Sequence, residues 1–145
     1  MKSHLRMLAP VLISLFFGTA GAPGVNAQIT DEIRAHLDHS FVIGNTTLPP
    51  GDYIFRMMHN SDRSVMTATS TNDKTSVEFP VRDTTADHTP SHSELTFRKY
   101  GNTEFLNRIF ESGSKDGEEI TETGTQEARF VKQHQHAVEH TEVQK

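Results

Sequence analysis

The chain has 145 residues, a formal charge of −5, no cysteine and no tryptophan. That length suits one domain. The missing thiols exclude disulfides, thiol catalysis and zinc–thiolate sites, and an acidic balance without a basic stripe argues against binding to nucleic acid or anionic membrane.

The first 27 residues read as a removable export signal: Lys2 and Arg6 form a basic start, Met7 to Phe17 an apolar run, and Val25-Asn26-Ala27 a small-x-Ala cleavage site. The apolar run is short for a span of about 20 residues. Cleavage after Ala27 leaves Gln28 first. Without Lys2 and Arg6, 12 basic residues face 19 acidic ones, a formal −7. These features predict an exported protein, periplasmic or extracellular, with no membrane span after cleavage.

Gln28 to Arg34 is a lead-in. Ala35, Leu37, His39, Phe41 and Ile43 then alternate with His36, Asp38, Ser40 and Val42, which predicts a strand with one apolar face. Gly44-Asn45 and Leu48-Pro49-Pro50-Gly51 supply turn chemistry. Tyr53, Phe55 and Met57 mark a second strand. After a turn at His59 to Arg63, a third strand covers Ser64 to Ser70, with Met66 and Ala68 facing inward. A fourth covers Ser76 to Arg82, with Val77, Phe79 and Val81 on one face. Pro80, which lacks an N–H, places that strand at an edge or a bulge.

Asp83 to Ser93 is a long polar loop. Leu95 and Phe97, the Gly101-Asn102 turn, and the return run Phe105-Leu106 and Ile109-Phe110 form a hairpin. The return strand is apolar on both faces, so it lies centrally or is covered. Ser112 to Thr125 reads as a loop. Thr123 and Gln126 resemble a capping box, and Gln126 to about Glu142 reads as a helix with a thin apolar stripe.

Two sets of residues carry a resemblance: Phe41-x-Ile43-Gly44-Asn45-x-x-Leu48-Pro49-x-Gly51-x-Tyr53 and, later, Leu95-x-Phe97-x-x-Tyr100-Gly101-x-x-x-Phe105-Leu106. The pattern resembles a group of small secreted proteins of acidobacteria and related soil bacteria. Asp38 and His39 stand where that group more often has proline and phenylalanine. The resemblance implies an exported β-rich domain and carries over no activity and no functional residue.

Histidine is the unusual chemical resource, with nine in the chain and eight beyond the signal. His136 and His140 are four apart on the predicted helix and share a face, with Glu139 or Glu142 as a third ligand if the helix end loosens. His88 and His92 form a second pair in the polar loop. These four are the candidate metal ligands. Neither pair matches a His-Glu-x-x-His site. Asp38 next to His39 cannot orient it in a regular strand, because neighbours point to opposite faces. No nucleophile elbow, calcium loop or phosphate cradle is present, so no catalytic residue and no cofactor is predicted.

The expected architecture is mainly β: a small antiparallel sandwich or partly open barrel of about six strands over residues 28–122, with a C-terminal helix and tail over 123–145. The expected function is a non-enzymatic structural or interaction module of the cell envelope, with an unidentified envelope or self-association partner. The alternative is a carrier of a small ligand or metal, using an apolar pocket or a histidine cluster.

Overall fold

A computed structural model describes residues 32–58, 64–133 and 136–144. The predicted signal, the turn at His59 to Arg63, and His134 lie outside these residues. Among the described residues the chain is mainly β, with ten strands and one helix, and no helix is long and apolar enough to cross a membrane. The strands are β1 (Ile33–Leu37), β2 (Phe41–Ile43), β3 (Thr46–Leu48), β4 (Gly51–Met57), β5 (Val65–Ser70) and β6 (Ser76–Thr85). They continue with β7 (Glu94–Tyr100), β8 (Thr103–Phe110), β9 (Asp116–Ile120), α1 (Thr125–Lys132) and β10 (Val138–Val143).

Ten strands replace the expected six, and each added strand has its own physical reason. The first predicted strand is broken: β1 ends at Leu37, the chain bends through Asp38 and His39, and β2 restarts at Phe41. The turn segment after Asn45 holds a three-residue strand, β3, paired with β2. The predicted loop over Ser112 to Thr125 contains β9. Its Glu-rich sequence has poor strand propensity, but Gly117 lies against Phe110 and Ile120 joins the core, so tertiary contact overrides propensity. The predicted C-terminal helix stops at Lys132. Val138, Thr141 and Val143 favour extended backbone, and this stretch pairs antiparallel with β7 as β10.

The strands form one open sheet. Its order runs β1-β4-β5-β6-β9-β8, with β2 and β3 following β8, while β7 pairs with β8 and β10 pairs with β7. All ladders are antiparallel except the single β2–β8 bridge, Val42 to Phe105. Strands β6 to β9 make a Greek key: β7, β8 and β9 follow one another by hairpins, and β6 returns beside β9. The long polar loop is the crossing that this topology requires. β6 runs on through Thr85, so the connection is shorter than expected.

Pro80 sits where β6 changes partner. Residues up to Pro80 pair with β5 and residues from Val81 pair with β9, so the missing N–H falls at the handover rather than inside one ladder. β8 is central, as its two apolar faces predicted: it pairs with β7 along its length and with β2 and β9 on its other edge.

The core lies inside the folded sheet. Phe41 meets both Tyr53 of β4 (centroids 5.1 Å apart) and Phe97 of β7 (6.0 Å), although those strands lie near opposite ends of the strand order. The sheet therefore curls over its own apolar face. Leu37, Phe55, Met66, Ala68, Leu95 and Ile109 fill the same cluster, the inward pair Met66 and Ala68 as predicted. Helix α1 covers a second cluster, with Phe130 stacked on Tyr100 at 5.6 Å and edge-on to Phe105 at 6.1 Å. Arg98 anchors the helix to β7 through Glu127, with Nε 2.7 Å from Oε1. Burial pushes the Glu127 carboxyl up, and Arg98 opposes that rise.

Candidate functional site

The curled sheet leaves β1 and β10 as two of its terminal strands, near one another but without a ladder between them. Among the contacts that cross the gap, the His36 backbone N–H donates to Gln144 Oε1 at 3.0 Å. Antiparallel pairing turns alternate residues of a strand toward their partner and the rest away. Since the His36 N–H points away from β4, the backbone groups of Arg34 share that outward edge. A cleft of about 600 Å³ lies along this seam, bordered by Arg34, His36, Asp52, Tyr53, Val143 and Gln144 among others.

The cleft walls are held by polar contacts. His36 Nδ1 lies 2.7 Å from Asp52 Oδ1. The Glu32 carboxylate accepts from Arg56 and Arg34, which together hold it below the usual carboxylate range. Tyr53 donates its hydroxyl to the Pro49 carbonyl at 2.6 Å, and burial raises its phenol.

The lower end of the seam carries most of the titratable chemistry. Glu104, on β8, is buried at 4% exposure. Lys99 stands opposite it across the Gly101-Asn102 turn and places Nζ 2.6 Å from Oε1. His140, on β10, brings Nδ1 to 3.1 Å from Oε2. His39, in the bend after β1, brings Nε2 to 3.0 Å from the same oxygen. Burial pushes the Glu104 carboxyl up, but the hydrogen bonds from Lys99 and His140 outweigh it and hold the group below its ordinary value. Phe97 floors the cluster, edge-on to the His39 ring at 5.5 Å.

The predicted ligand pairs fare differently. His136 and His140 do not share a helix face: His136 is exposed in the connection after α1, and His140 is a strand residue. His140 does join a cluster, but with Glu104 and His39. His88 turns toward Glu94, with Nε2 3.6 Å from Oε1, while His92 Nδ1 meets Ser91 Oγ at 3.1 Å. Both are exposed, and nothing among the described residues joins them in one site.

Asp38 and His39 correct a second expectation. Because the chain bends at these residues, neighbouring side chains converge, with Asp38 Oδ1 3.2 Å from His39 Nδ1. Motif spacing in the sequence does not single out Glu104. The one available signal was hairpin register, which sets it opposite Lys99. The pairing of His140 with it depends on β10 being a strand. Comparison of the chain with protein-family models, curated proteins and solved structures yields no match.

Proposed function

We propose that this chain is an exported, non-enzymatic interaction module that holds an extended segment of a partner chain in the seam between β1 and β10. Export rests on the three-part N-terminal pattern. In this reading the curled sheet is a partly open barrel, and β1 and β10 are its two lips. The observation that carries the reading is the seam itself: two sheet ends flank a cleft of about 600 Å³, and only a side chain, Gln144, occupies the outward His36 N–H. A sheet edge with free donors and acceptors is a template for strand addition, in which main-chain bonds give affinity and alternate side chains give selectivity.

The cleft lining favours a peptide over an apolar small molecule. Arg34, His36, Asp52, Thr71 and Gln144 bring polar groups to the cleft beside Ile54 and Val143, whereas small-ligand pockets are mostly apolar. The test is selection of unstructured peptides of about ten residues on the purified protein, followed by amide hydrogen exchange. A binder is expected to protect Arg34 and His36 and leave the already laddered Ile33 and Ala35 unchanged. If no peptide is selected, or if selected peptides protect α1 instead, the reading is wrong.

A further inference from the structure

We infer that Asp38, His39 and Glu142 form a binding site for a divalent transition ion of the zinc type, with Glu104 as the residue that orients His39. The inference is independent of whether the seam takes a peptide.

The donor atoms already converge. His39 Nδ1 lies 3.2 Å from Asp38 Oδ1 and 3.3 Å from Glu142 Oε1, and the three donors all fall within 4.8 Å of one another. A tetrahedral ion with nitrogen and oxygen ligands at about 2.0–2.1 Å needs donors about 3.3 Å apart. Two of the three separations therefore match the edge of a coordination tetrahedron. Asp38 is 87% exposed, so the side of the site away from Glu142 opens to solvent and leaves room for water as the fourth ligand.

The other face of the imidazole supplies the independent observation. His39 Nε2 is sealed from solvent, and although Glu104 Oε2 lies 3.0 Å away, the alignment falls short of a hydrogen bond. Rotation of the imidazole about its side-chain bonds would bring this N–H into line with the carboxylate. A histidine that binds a metal through one nitrogen usually donates its other N–H to a carboxylate, which fixes the tautomer and ring orientation. Glu104 is placed for that role. It is buried, and its own position is fixed by Lys99 and His140.

The donor chemistry selects the ion. Imidazole suits zinc, copper, iron and nickel, whereas calcium and magnesium prefer all-oxygen shells. The ligands also define the consequence. Asp38 and His39 come from the bend after β1, and Glu142 comes from β10, so the ion would tie together the two sheet ends that no ladder joins.

The experiment is calorimetric titration of zinc chloride into the untagged protein, with histidine nitrogen NMR to identify the bound ring atom. The expected result is one equivalent bound at about 10 µM or tighter, with the shift on His39 Nδ1. Asp38→Asn and Glu142→Gln are expected to weaken binding at least about tenfold, and Glu104→Gln by about 10–100-fold. Asp38 is exposed enough that its variant tests ligation without testing folding, and metal-free melting curves check the other two. No saturable binding below about 100 µM overturns the site. So does binding that survives Asp38→Asn and Glu142→Gln, or binding that is lost with His88→Ala and His92→Ala or with His136→Ala.

Discussion

Glu118 stands directly opposite Asp83 in the β6–β9 ladder, on the same side of the sheet as the core residues Val81 and Ile120. Glu118 is 1% exposed and its Oε2 has no hydrogen-bond partner. Burial, reinforced by the Asp83 charge, pushes its carboxyl from 4.5 up to about 7. The folded state therefore holds this proton more tightly than the unfolded chain does. The associated stability is full below about pH 4.5 and is lost as pH rises through about 7. At about 1.4 kcal/mol per pH unit the effect is capped near ~3 kcal/mol. Glu118→Gln is expected to flatten that slope and to be the more stable form above pH 7, as read by urea denaturation across pH 4–9. An unchanged slope in the variant would show that another group carries it.

Asn45 caps α1 from 80 residues away: its Oδ1 accepts from the Thr125 N–H at 2.7 Å and from the Thr125 hydroxyl at 2.8 Å. Asn45→Ala is expected to cost about 1 kcal/mol, whereas Asn45→Asp keeps the acceptor and costs less. Denaturant midpoints of the two variants check the order.

Two glycines should fail for different reasons. A Cβ at Gly117 would collide with the Phe110 ring and the Ile109 carbonyl, so Gly117→Ala is expected to lose about 1–3 kcal/mol by overpacking. Gly101 has open space around it but sits at φ +60°, so Gly101→Ala is expected to cost about 1–2 kcal/mol through backbone strain alone. An asparagine, which tolerates that conformation, should recover part of the loss at Gly101 and none at Gly117.

Phe130 is the main apolar contact of α1 with the sheet, against Tyr100 and Phe105. Phe130→Ala is expected to speed amide exchange throughout Thr125–Lys132 while leaving β4, β5 and β6 protected. Uniform loss of protection would mean that helix and sheet unfold as one unit.

The parts of the fold legible in the sequence were those with strong local chemistry. Alternation marks β4, β5 and β7, and Gly101-Asn102 marks the turn of the β7–β8 hairpin. The two-faced apolar run of β8 announced its central place. What stayed hidden depended on distant partners. β9 is strand because Phe110 and Ile109 accept it there, and β10 is strand because β7 offers a free edge. The candidate site followed the same rule. Spacing groups His140 with His136, whereas its companions in the structure come from β8 and from the bend after β1. Alternation reads His39 as part of a continuous strand, and only the break at Asp38 turns the two side chains toward each other.

The strand order also has a consequence in time. The stretches β4–β5–β6 and β7–β8–β9 are joined by short connections and can form early, whereas β1–β4, β6–β9 and β7–β10 must each close a longer loop. Of the described strands, β10 leaves the ribosome last. Until it arrives, the outer edge of β7 is bare, Glu104 lacks His140, and the His36 N–H has no Gln144 to meet. A chain truncated before residue 138 would carry that exposed edge beside the apolar core, the kind of surface that chaperones hold and that aggregates recruit.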